Sequence, residues 1–117
     1  MTESLMLKKS KAFALRIVRL YKYLREHKES VIAKQMLRAG TSIGANIAES
    51  RYAQSKADFA SKLQIALKEA SETQYWIELL RDAELVEPGP AFDSICEDCT
   101  DLLRLLTASV KTAKAEA

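Results

Sequence analysis

The sequence predicts an all-α protein, an antiparallel up-down-up-down four-helix bundle that forms a single domain over residues 1–117. Three observations support this fold class. The 117 residues include only three Gly and two Pro, a composition typical of helical proteins. Apolar side chains recur three and four residues apart, as on a helix with one buried face. Short polar segments separate four such stretches, and short connections make consecutive helices antiparallel neighbours.

The first two helices are predicted over about 10–26 and 30–52. The polar residues between them form a short connection, and Ser30 is expected to cap the second helix with its hydroxyl. The buried stripe of the first helix consists of Phe13, Ile17, Leu20, Tyr21 and Leu24.

The last two helices are predicted over about 56–84 and 91–112. Ser55, followed three residues later by Asp58, has the pattern of a capping box and also suits the helix dipole. Two prolines around a glycine end the third helix, and the residues after 112 are expected to fray. The inward stripes are Phe59, Leu63, Ala66, Ala70, Thr73, Ile77 and Leu80 in the third helix and Phe92, Ile95, Cys99, Leu102, Leu103, Leu106 and Val110 in the fourth.

The second helix is small or apolar on two sides and carries little charge. Gly40 and Gly44 each cost up to about 1 kcal/mol in a helix interior, so we expect another backbone to approach closely over them. A helix in a lone bundle has only two neighbours, which favours a second copy of the chain as the further partner. The alternative is a kink or a break between two short helices.

A narrow polar arc on the second helix is expected to face acids on the third. Antiparallel packing across the short connection places Arg38 beside Glu69, and Glu49 near Lys62. We predict a buried Arg38–Glu69 ion pair, and breaking one side of such a pair typically costs about 3–5 kcal/mol. The whole polar seam consists of Gln35, Arg38, Ser42, Asn46, Glu49, Glu69 and Glu72.

The net charge of +2 conceals a strong asymmetry. Up to Lys56 there are twelve Lys and Arg against four Asp and Glu, or +8; from Ala57 onward there are six against twelve, or −6. The two halves can attract one another within or between subunits, or the basic part can meet an anionic partner such as RNA. The candidate nucleic-acid contacts on the first helix are Lys8, Lys11, Arg16, Arg19, Lys22 and Arg25, with Tyr21 and Tyr23 among them as candidates for base stacking.

No catalytic or metal-binding constellation is predicted. Cys96 and Cys99 have the CxxC spacing, but a structural zinc site needs four ligands and the one histidine, His27, lies at a distant connection. We interpret both cysteines as small hydrophobic residues and His27 as a surface residue near a helix end. A protein that is not an enzyme and needs no cofactor or metal is therefore expected.

Features of membrane and secreted proteins are also missing from the sequence. No apolar run approaches the ~20 residues that span a bilayer. The first residues lack the order of a secretory signal, because the basic residues follow the apolar ones. We expect a cytoplasmic protein with no membrane partner.

Two segments resemble the signature of one small bacterial family. They are QMLRAGTSIGANIAE at 35–49 and DFASKLQIALKEASET at 58–73. The family comprises four-helix bundle proteins encoded in intervening sequences of 23S rRNA genes, and the resemblance extends over about 13–85. It implies an antiparallel four-helix bundle that assembles as a homopentamer, with no catalytic residues to carry over and no established role.

Two functional hypotheses follow. In the first, a homo-oligomer binds RNA or another nucleic acid through the basic face of the first helix. In the second, the protein is an interaction scaffold with a protein partner, and its charge asymmetry serves assembly. The fourth helix departs from a uniformly basic nucleic-acid binder, because it carries Asp93, Glu97, Asp98 and Asp101.

Overall fold

The computed structural model describes residues 2–117 and confirms an all-α four-helix bundle. The helices are α1 (Thr2–Glu26), α2 (Val31–Ser50), α3 (Lys56–Asp82) and α4 (Pro90–Glu116). They form a rod of 45 × 22 × 20 Å. Each helix packs on the next, and α4 packs on α1, whereas α1 does not pack on α3, nor α2 on α4. The cross-section is therefore a square with α1 diagonal to α3.

The outer helices are longer than predicted. α1 already begins at Thr2, because Met6 and Ser10 continue its buried stripe by one further turn each. α4 extends to Glu116, and Ala113 is buried at the helical spacing from Val110. The prediction that the chain frays after 112 was therefore wrong. Over residues 2–117, none of the helices combines the length and apolarity needed to cross a bilayer.

The two predicted caps have different outcomes. Ser55 Oγ accepts a hydrogen bond from the Asp58 backbone N–H at 3.0 Å, and the Asp58 carboxylate accepts one from the Gln54 N–H, which confirms that cap. Ser30 precedes α2, but its hydroxyl makes no capping bond. Glu29 Oε1 instead accepts the Ile32 N–H at 2.6 Å. A carboxylate is the stronger acceptor there and suits the positive end of the helix dipole.

Most of the predicted stripes form one continuous apolar core. Five residues that were predicted to point inward are instead half-buried at its edge. They are Leu20, Tyr21, Phe59, Ile95 and Leu103.

The glycines of α2 lie against α1 of the same chain. A Cβ added to Gly40 would lie 2.9 Å from Ile17 Cγ2, and one added to Gly44 would lie 3.2 Å from Ser10 Oγ. α2 is a single continuous helix, so the alternative of a break was wrong. A close approach over the glycines was predicted, but the nearest atoms belong to side chains of α1 in the same chain and not to another backbone, and the glycines by themselves require no second copy.

Candidate nucleic-acid interface

The outward face of α1 is basic with an apolar centre. Positions 8, 11, 15, 18, 22 and 25 are three and four residues apart and therefore share one side of the helix. Lys8, Lys11, Lys22 and Arg25 are exposed there. Between them lie Leu15, 50% exposed, and Val18, 37% exposed. Arg19 is exposed beside this row.

Five of the six predicted nucleic-acid contacts have no acidic partner among the residues that the structure describes. They are Lys8, Lys11, Arg19, Lys22 and Arg25. The Arg25 guanidinium lies 5.5 Å from the centre of the Tyr21 ring, a cation–π contact that leaves its charge uncompensated. Their positive field is therefore directed into solvent, where an anion can reach it.

Arg16 is the exception, because α4 holds it. Its Nη1 donates to Asp98 Oδ2 at 2.7 Å and to Ser94 Oγ at 2.9 Å. Arg16 is therefore the one candidate contact whose charge already has an acidic partner within the chain. The first interpretation of the charge asymmetry, attraction between the two halves of the chain, applies at this point of the α1–α4 seam.

The two tyrosines of α1 already have partners. The Tyr23 ring stacks on the His27 ring with centroids 4.0 Å apart, and His27 Nδ1 lies 2.7 Å from the Tyr23 carbonyl oxygen. Tyr21 is half-buried against the core. Any contact between α1 and a nucleic acid is therefore carried by charge and not by stacking on these rings.

The predicted ion pair of the polar seam is present and forms part of a larger network. Arg38 Nη1 donates to Glu69 Oε2 at 3.1 Å, and Nη2 donates to Glu72. The same Glu72 carboxylate accepts the Trp76 indole N–H at 2.8 Å. The prediction that this pair is buried was wrong for Arg38, whose side chain is 49% exposed, although that of Glu69 is only 17% exposed.

The other seam residues join the helices less directly. Lys62 Nζ lies 3.7 Å from Glu49 Oε1, as the antiparallel register predicted. Ser42 Oγ donates to the Arg38 carbonyl, and Asn46 Nδ2 donates to the Ser42 carbonyl, so both bond within α2. Gln35 is exposed. Two ion-paired clusters therefore link α2 to α3, with local hydrogen bonds between them.

Glu72 is held in its ionised form. The Trp76 indole N–H and then the Arg38 guanidinium hydrogen-bond its carboxylate and lower its pKa below the ordinary value. A carboxylate stabilised in this way is a poor proton donor or acceptor near neutral pH. The seam thus has the character of a structural network.

The two cysteines have the chemistry of packed side chains. Burial raises the pKa of Cys99 to about 12, and its Sγ lies 3.6 Å from the Ala70 carbonyl oxygen. Burial also raises the pKa of Cys96. Thiols with raised pKa values are poor nucleophiles. Among residues 2–117, no group of three or more His, Cys, Asp and Glu is placed to hold a metal ion.

Sequence reasoning missed a shallow groove between α1 and α2 of about 360 Å³. Its floor is apolar or small, and Lys11 and Arg51 border it. The sequence signal was the cluster of small residues in the second helix, of which Thr41, Gly44, Ala45 and Ala48 lie in the groove. The floor consists of Leu7, Ala14, Thr41, Gly44, Ala45 and Ala48.

Two comparisons with known proteins agree. The sequence model of the family described as 23S rRNA-intervening sequence protein matches residues 2–108. The chain is also similar to a crystal structure, at 1.70 Å, of a protein of unknown function from the S23 ribosomal protein family of Bacteroides thetaiotaomicron VPI-5482. That similarity has 52% sequence identity and a TM-score of 0.89, and covers 95% of this chain and 99% of the other. No curated protein matches the chain.

Proposed function

The chain belongs to the 23S rRNA-intervening sequence protein family, and we propose that it is a non-enzymatic, homo-oligomeric protein that binds structured RNA through the outward face of α1. The observation that carries this proposal is the row of cations on α1 without acidic partners. Lys8 and Arg25 are separated by about 25 Å along the helix at ~1.5 Å per residue. That length is enough for several phosphates to be contacted at once.

Oligomerisation raises the affinity of this surface for RNA. A single helix face with five cations makes few phosphate contacts, and each contact is sensitive to salt. The family resemblance implies a ring of five copies. Such a ring presents the basic face of α1 five times, so one RNA molecule can contact several faces at once and gains affinity through avidity. The same proposal places the protein in the cytoplasm, where RNA is accessible.

The non-enzymatic part of the proposal is supported by the state of the reactive groups. The thiols have raised pKa values, His27 is stacked on Tyr23, and Glu72 is held ionised by two donors. None of these residues forms a nucleophile–base pair with another.

A second candidate function is a protein-interaction scaffold. Leu15 and Val18 are exposed at the centre of the basic face, and exposed apolar side chains between charges are typical of protein contacts. Under this alternative, the cations of α1 meet an acidic protein surface instead of phosphates.

Binding to a fluorescein-labelled RNA hairpin, measured by anisotropy at about 150 mM salt, tests the proposal. The variant K8E/R19E/K22E reverses three unpaired cations of α1, and we expect it to weaken binding at least 100-fold. The matched control K56E/K111E/K114E makes the same change in net charge at exposed positions of α3 and α4. It should weaken binding less than threefold, because charges beyond the ~8 Å Debye length are screened.

Wild-type affinity should also fall steeply with salt, as counterion release requires. Equal losses in the two triple variants would mean that net charge alone attracts RNA and would contradict an α1 interface. A wild-type protein that binds no RNA at this salt concentration would favour the scaffold.

A further inference from the structure

We propose that the RNA bound by α1 is double-helical, and that α1 and α2 of one chain together bridge the two phosphate backbones of a duplex without reading its sequence. This inference rests on the RNA binding of the proposed function and deepens it, because it names the class of RNA and adds Lys34 and Arg51 of α2 to the contacts. Since every contact lies within one copy of the chain, the bridge itself needs no assembly.

The cations of α1 form two groups that are separated along the helix. Lys8 and Lys11 lie near one end, and Lys22 and Arg25 repeat the same three-residue spacing fourteen residues later. At ~1.5 Å per residue, the two groups are about 21 Å apart. Arg19 is exposed beside the second group. The positive charge of this face is therefore concentrated at its two ends.

The interval between the two groups is apolar. Leu15 is 50% exposed there, and Ala12 is also exposed. Arg16 is the one charged residue from 12 to 18, and Asp98 of α4 pairs with it. A phosphate over this interval would lose water without gaining a cation, which is unfavourable.

α2 has the same distribution of charge beside α1. Gly40 lies against Ile17 and the two helices are antiparallel, so Lys34 lies beside the last turns of α1. Arg51, at the other end of α2, borders the same groove as Lys11. Both α2 cations are exposed, and neither forms an ion pair with a side chain that the structure describes. The α2 residues that line the groove between them are uncharged: Thr41, Gly44, Ala45 and Ala48.

Acidic residues limit this surface on the other side of α1. Asp98 and Asp101 of α4 border α1 beside Lys9 and Ala12, where their charge repels phosphates. A bound nucleic acid is therefore directed towards α2. Glu26 is exposed at the end of α1 and offsets part of the charge of the second group.

Two separated groups of cations suit a double helix better than a single strand. Proteins that bind single strands combine a continuous positive groove with aromatic rings on which the bases stack. Here the charge is interrupted, and the rings of Tyr21 and Tyr23 already have partners. Double-helical RNA has two phosphate backbones on either side of a wide, shallow minor groove, which proteins recognise largely by shape. Each group of cations can contact one backbone, and the apolar interval then lies over the groove.

The same geometry is less suited to B-form DNA. The minor groove of B-DNA is only about 6 Å wide, so its backbones lie closer together than the two groups of cations. The major groove of B-DNA admits a single helix, whereas α1 is flanked by α2 and α4. The Thr41 hydroxyl already donates to the Leu37 carbonyl, so it offers no hydrogen to a base edge. We therefore expect recognition of RNA duplexes that is independent of their sequence.

Fluorescence anisotropy at about 150 mM salt tests the class of RNA. The first probe is an RNA duplex of about 20 base pairs, longer than the ~16 base pairs that a duplex-binding domain spans. The others are one of its strands alone, chosen to lack internal pairing, and the DNA duplex of the same sequence. We expect the RNA duplex to bind about tenfold or more tightly than either, and a second RNA duplex of different sequence to bind equally well. Single-stranded RNA or duplex DNA that binds as tightly as duplex RNA would overturn the inference.

Variants at one end of the surface test the bridge. K8E/K11E reverses the charge of one group and K22E/R25E that of the other, and each leaves the opposite group intact. In both we expect duplex affinity to fall about tenfold or more, to the level of the single strand, because only one backbone is still held. If either variant keeps the preference for duplex over single strand, the two groups do not hold two backbones and the inference is wrong.

The contribution of α2 is tested by K34E/R51E. We expect this variant to weaken duplex binding by about tenfold. The matched control K68E/K111E reverses two exposed lysines of α3 and α4 and should weaken it less than about threefold, because screening limits the effect of distant charges. Equal effects of the two variants would remove α2 from the interface and contradict the bridge.

Leu15→Lys tests the uncharged interval. The substitution places a cation at an exposed position between the two groups, and Ile65→Lys at an exposed position of α3 is its matched control. We expect Leu15→Lys to strengthen binding of the single strand more than that of the duplex, and Ile65→Lys to change neither by more than about twofold. Circular dichroism should show unchanged helicity in both. If Leu15→Lys leaves the preference for duplex unchanged, the interval does not cause that preference.

These measurements separate the class of RNA from RNA binding itself. If the wild-type protein binds neither hairpin nor duplex, the proposed function and this inference both fail. If it binds the hairpin through α1 but binds the single strand as tightly as the duplex, only this inference fails.

Discussion

The two flanks of α2 are held to their neighbours in different ways. On the α3 side, Arg38 bonds to Glu69 and Glu72, and Glu49 lies near Lys62, so opposite charges meet across the groove. On the α1 side the structure shows no ion pair between described residues, and Gly40 and Gly44 lie directly under α1 side chains. One flank is joined by charge and the other by close packing of small residues.

This difference explains where unpaired charge remains on the molecule. At the α2–α3 seam, Arg38 and Lys62 face Glu49, Glu69 and Glu72, so neither cation is left without an acidic partner. Among the residues whose side chains the structure describes, no acid pairs with Lys11 or Arg51 across the α1–α2 groove, and the cations of α1 stay available to other molecules. Surfaces with uncompensated charge of one sign are those that attract partners.

The packed flank should be the more sensitive to mutation. Gly40→Ala places a Cβ 2.9 Å from Ile17 Cγ2, a distance at which the Ile17 side chain or the helix that carries it must shift. Overpacking of a well-packed site typically costs about 1–3 kcal/mol, while replacing Gly by Ala in a helix returns up to about 1 kcal/mol. We expect a net destabilisation of about 1–2 kcal/mol, measured by urea unfolding.

Gly44→Ala is the matched control, because its Cβ would meet the Ser10 hydroxyl at 3.2 Å, and a small shift there relieves the contact. It should change the free energy of unfolding by less than about 0.5 kcal/mol. In an Ile17→Ala background, Gly40→Ala should become neutral or stabilising. Equal effects of the two glycine substitutions in the wild-type background would show that α1 does not press on Gly40.

The ion-paired flank should be less sensitive. Arg38→Ala removes both carboxylate partners, but the Arg38 side chain is half-exposed and water replaces much of the interaction. We expect a loss of about 1 kcal/mol or less, as for exposed ion pairs, in place of the about 3–5 kcal/mol expected for a buried pair. A loss above about 3 kcal/mol in urea unfolding would mean that Arg38 is desolvated in the folded protein.

The contrast between these flanks shows what a sequence can and cannot predict here. The pairing of Arg38 with Glu69 and of Glu49 with Lys62 followed from the sequence, because α2 and α3 are joined by a short connection that fixes their register. The exposed fraction of the Arg38 side chain did not follow from the sequence, because it depends on the distance between α2 and α3 at that position. Periodicity assigns a residue to a side of a helix, not to a depth.

The errors at the outer helices have a related cause. The sequence did not reveal the partners of Arg16, because Asp98 and Ser94 are about eighty residues away along the chain. Helicity before residue 10 and after 112 likewise depends on the packing of α1 against α4 at the closing seam of the bundle, where Met6 and Ala113 are buried. Local sequence determines the contacts between helices that are consecutive in the chain. The contacts between α1 and α4 depend on the whole fold.

A pH experiment sharpens the contrast within the ion-paired flank. Trp76→Phe removes the indole N–H, which contributes most to lowering the pKa of Glu72. The pKa of Glu72 should therefore rise towards its ordinary value of 4.5, as measured by NMR titration of its side-chain carboxyl carbon. An unchanged pKa would show that Arg38 alone holds the carboxylate.

The sign of the stability effect follows from the direction of the shift. The folded pKa of Glu72 is lower than its unfolded pKa, so the bonds to its carboxylate stabilise the fold above about pH 4.5. That contribution is lost as the pH falls through the folded pKa. The difference in unfolding free energy between wild type and Glu72→Gln should therefore shrink on acidification.

The smallest effect is expected at the other end of the ion-paired flank. Glu49 and Lys62 are 3.7 Å apart, and the Glu49 side chain is 61% exposed, so solvent screens their attraction. Glu49→Gln should change the free energy of unfolding by about 0.2–0.5 kcal/mol, and 1 M NaCl should abolish the difference because it shortens the Debye length to about 3 Å. A larger effect that persists in high salt would mean that Glu49 acts through hydrogen bonding or packing, and that even the exposed end of this flank is held by more than charge.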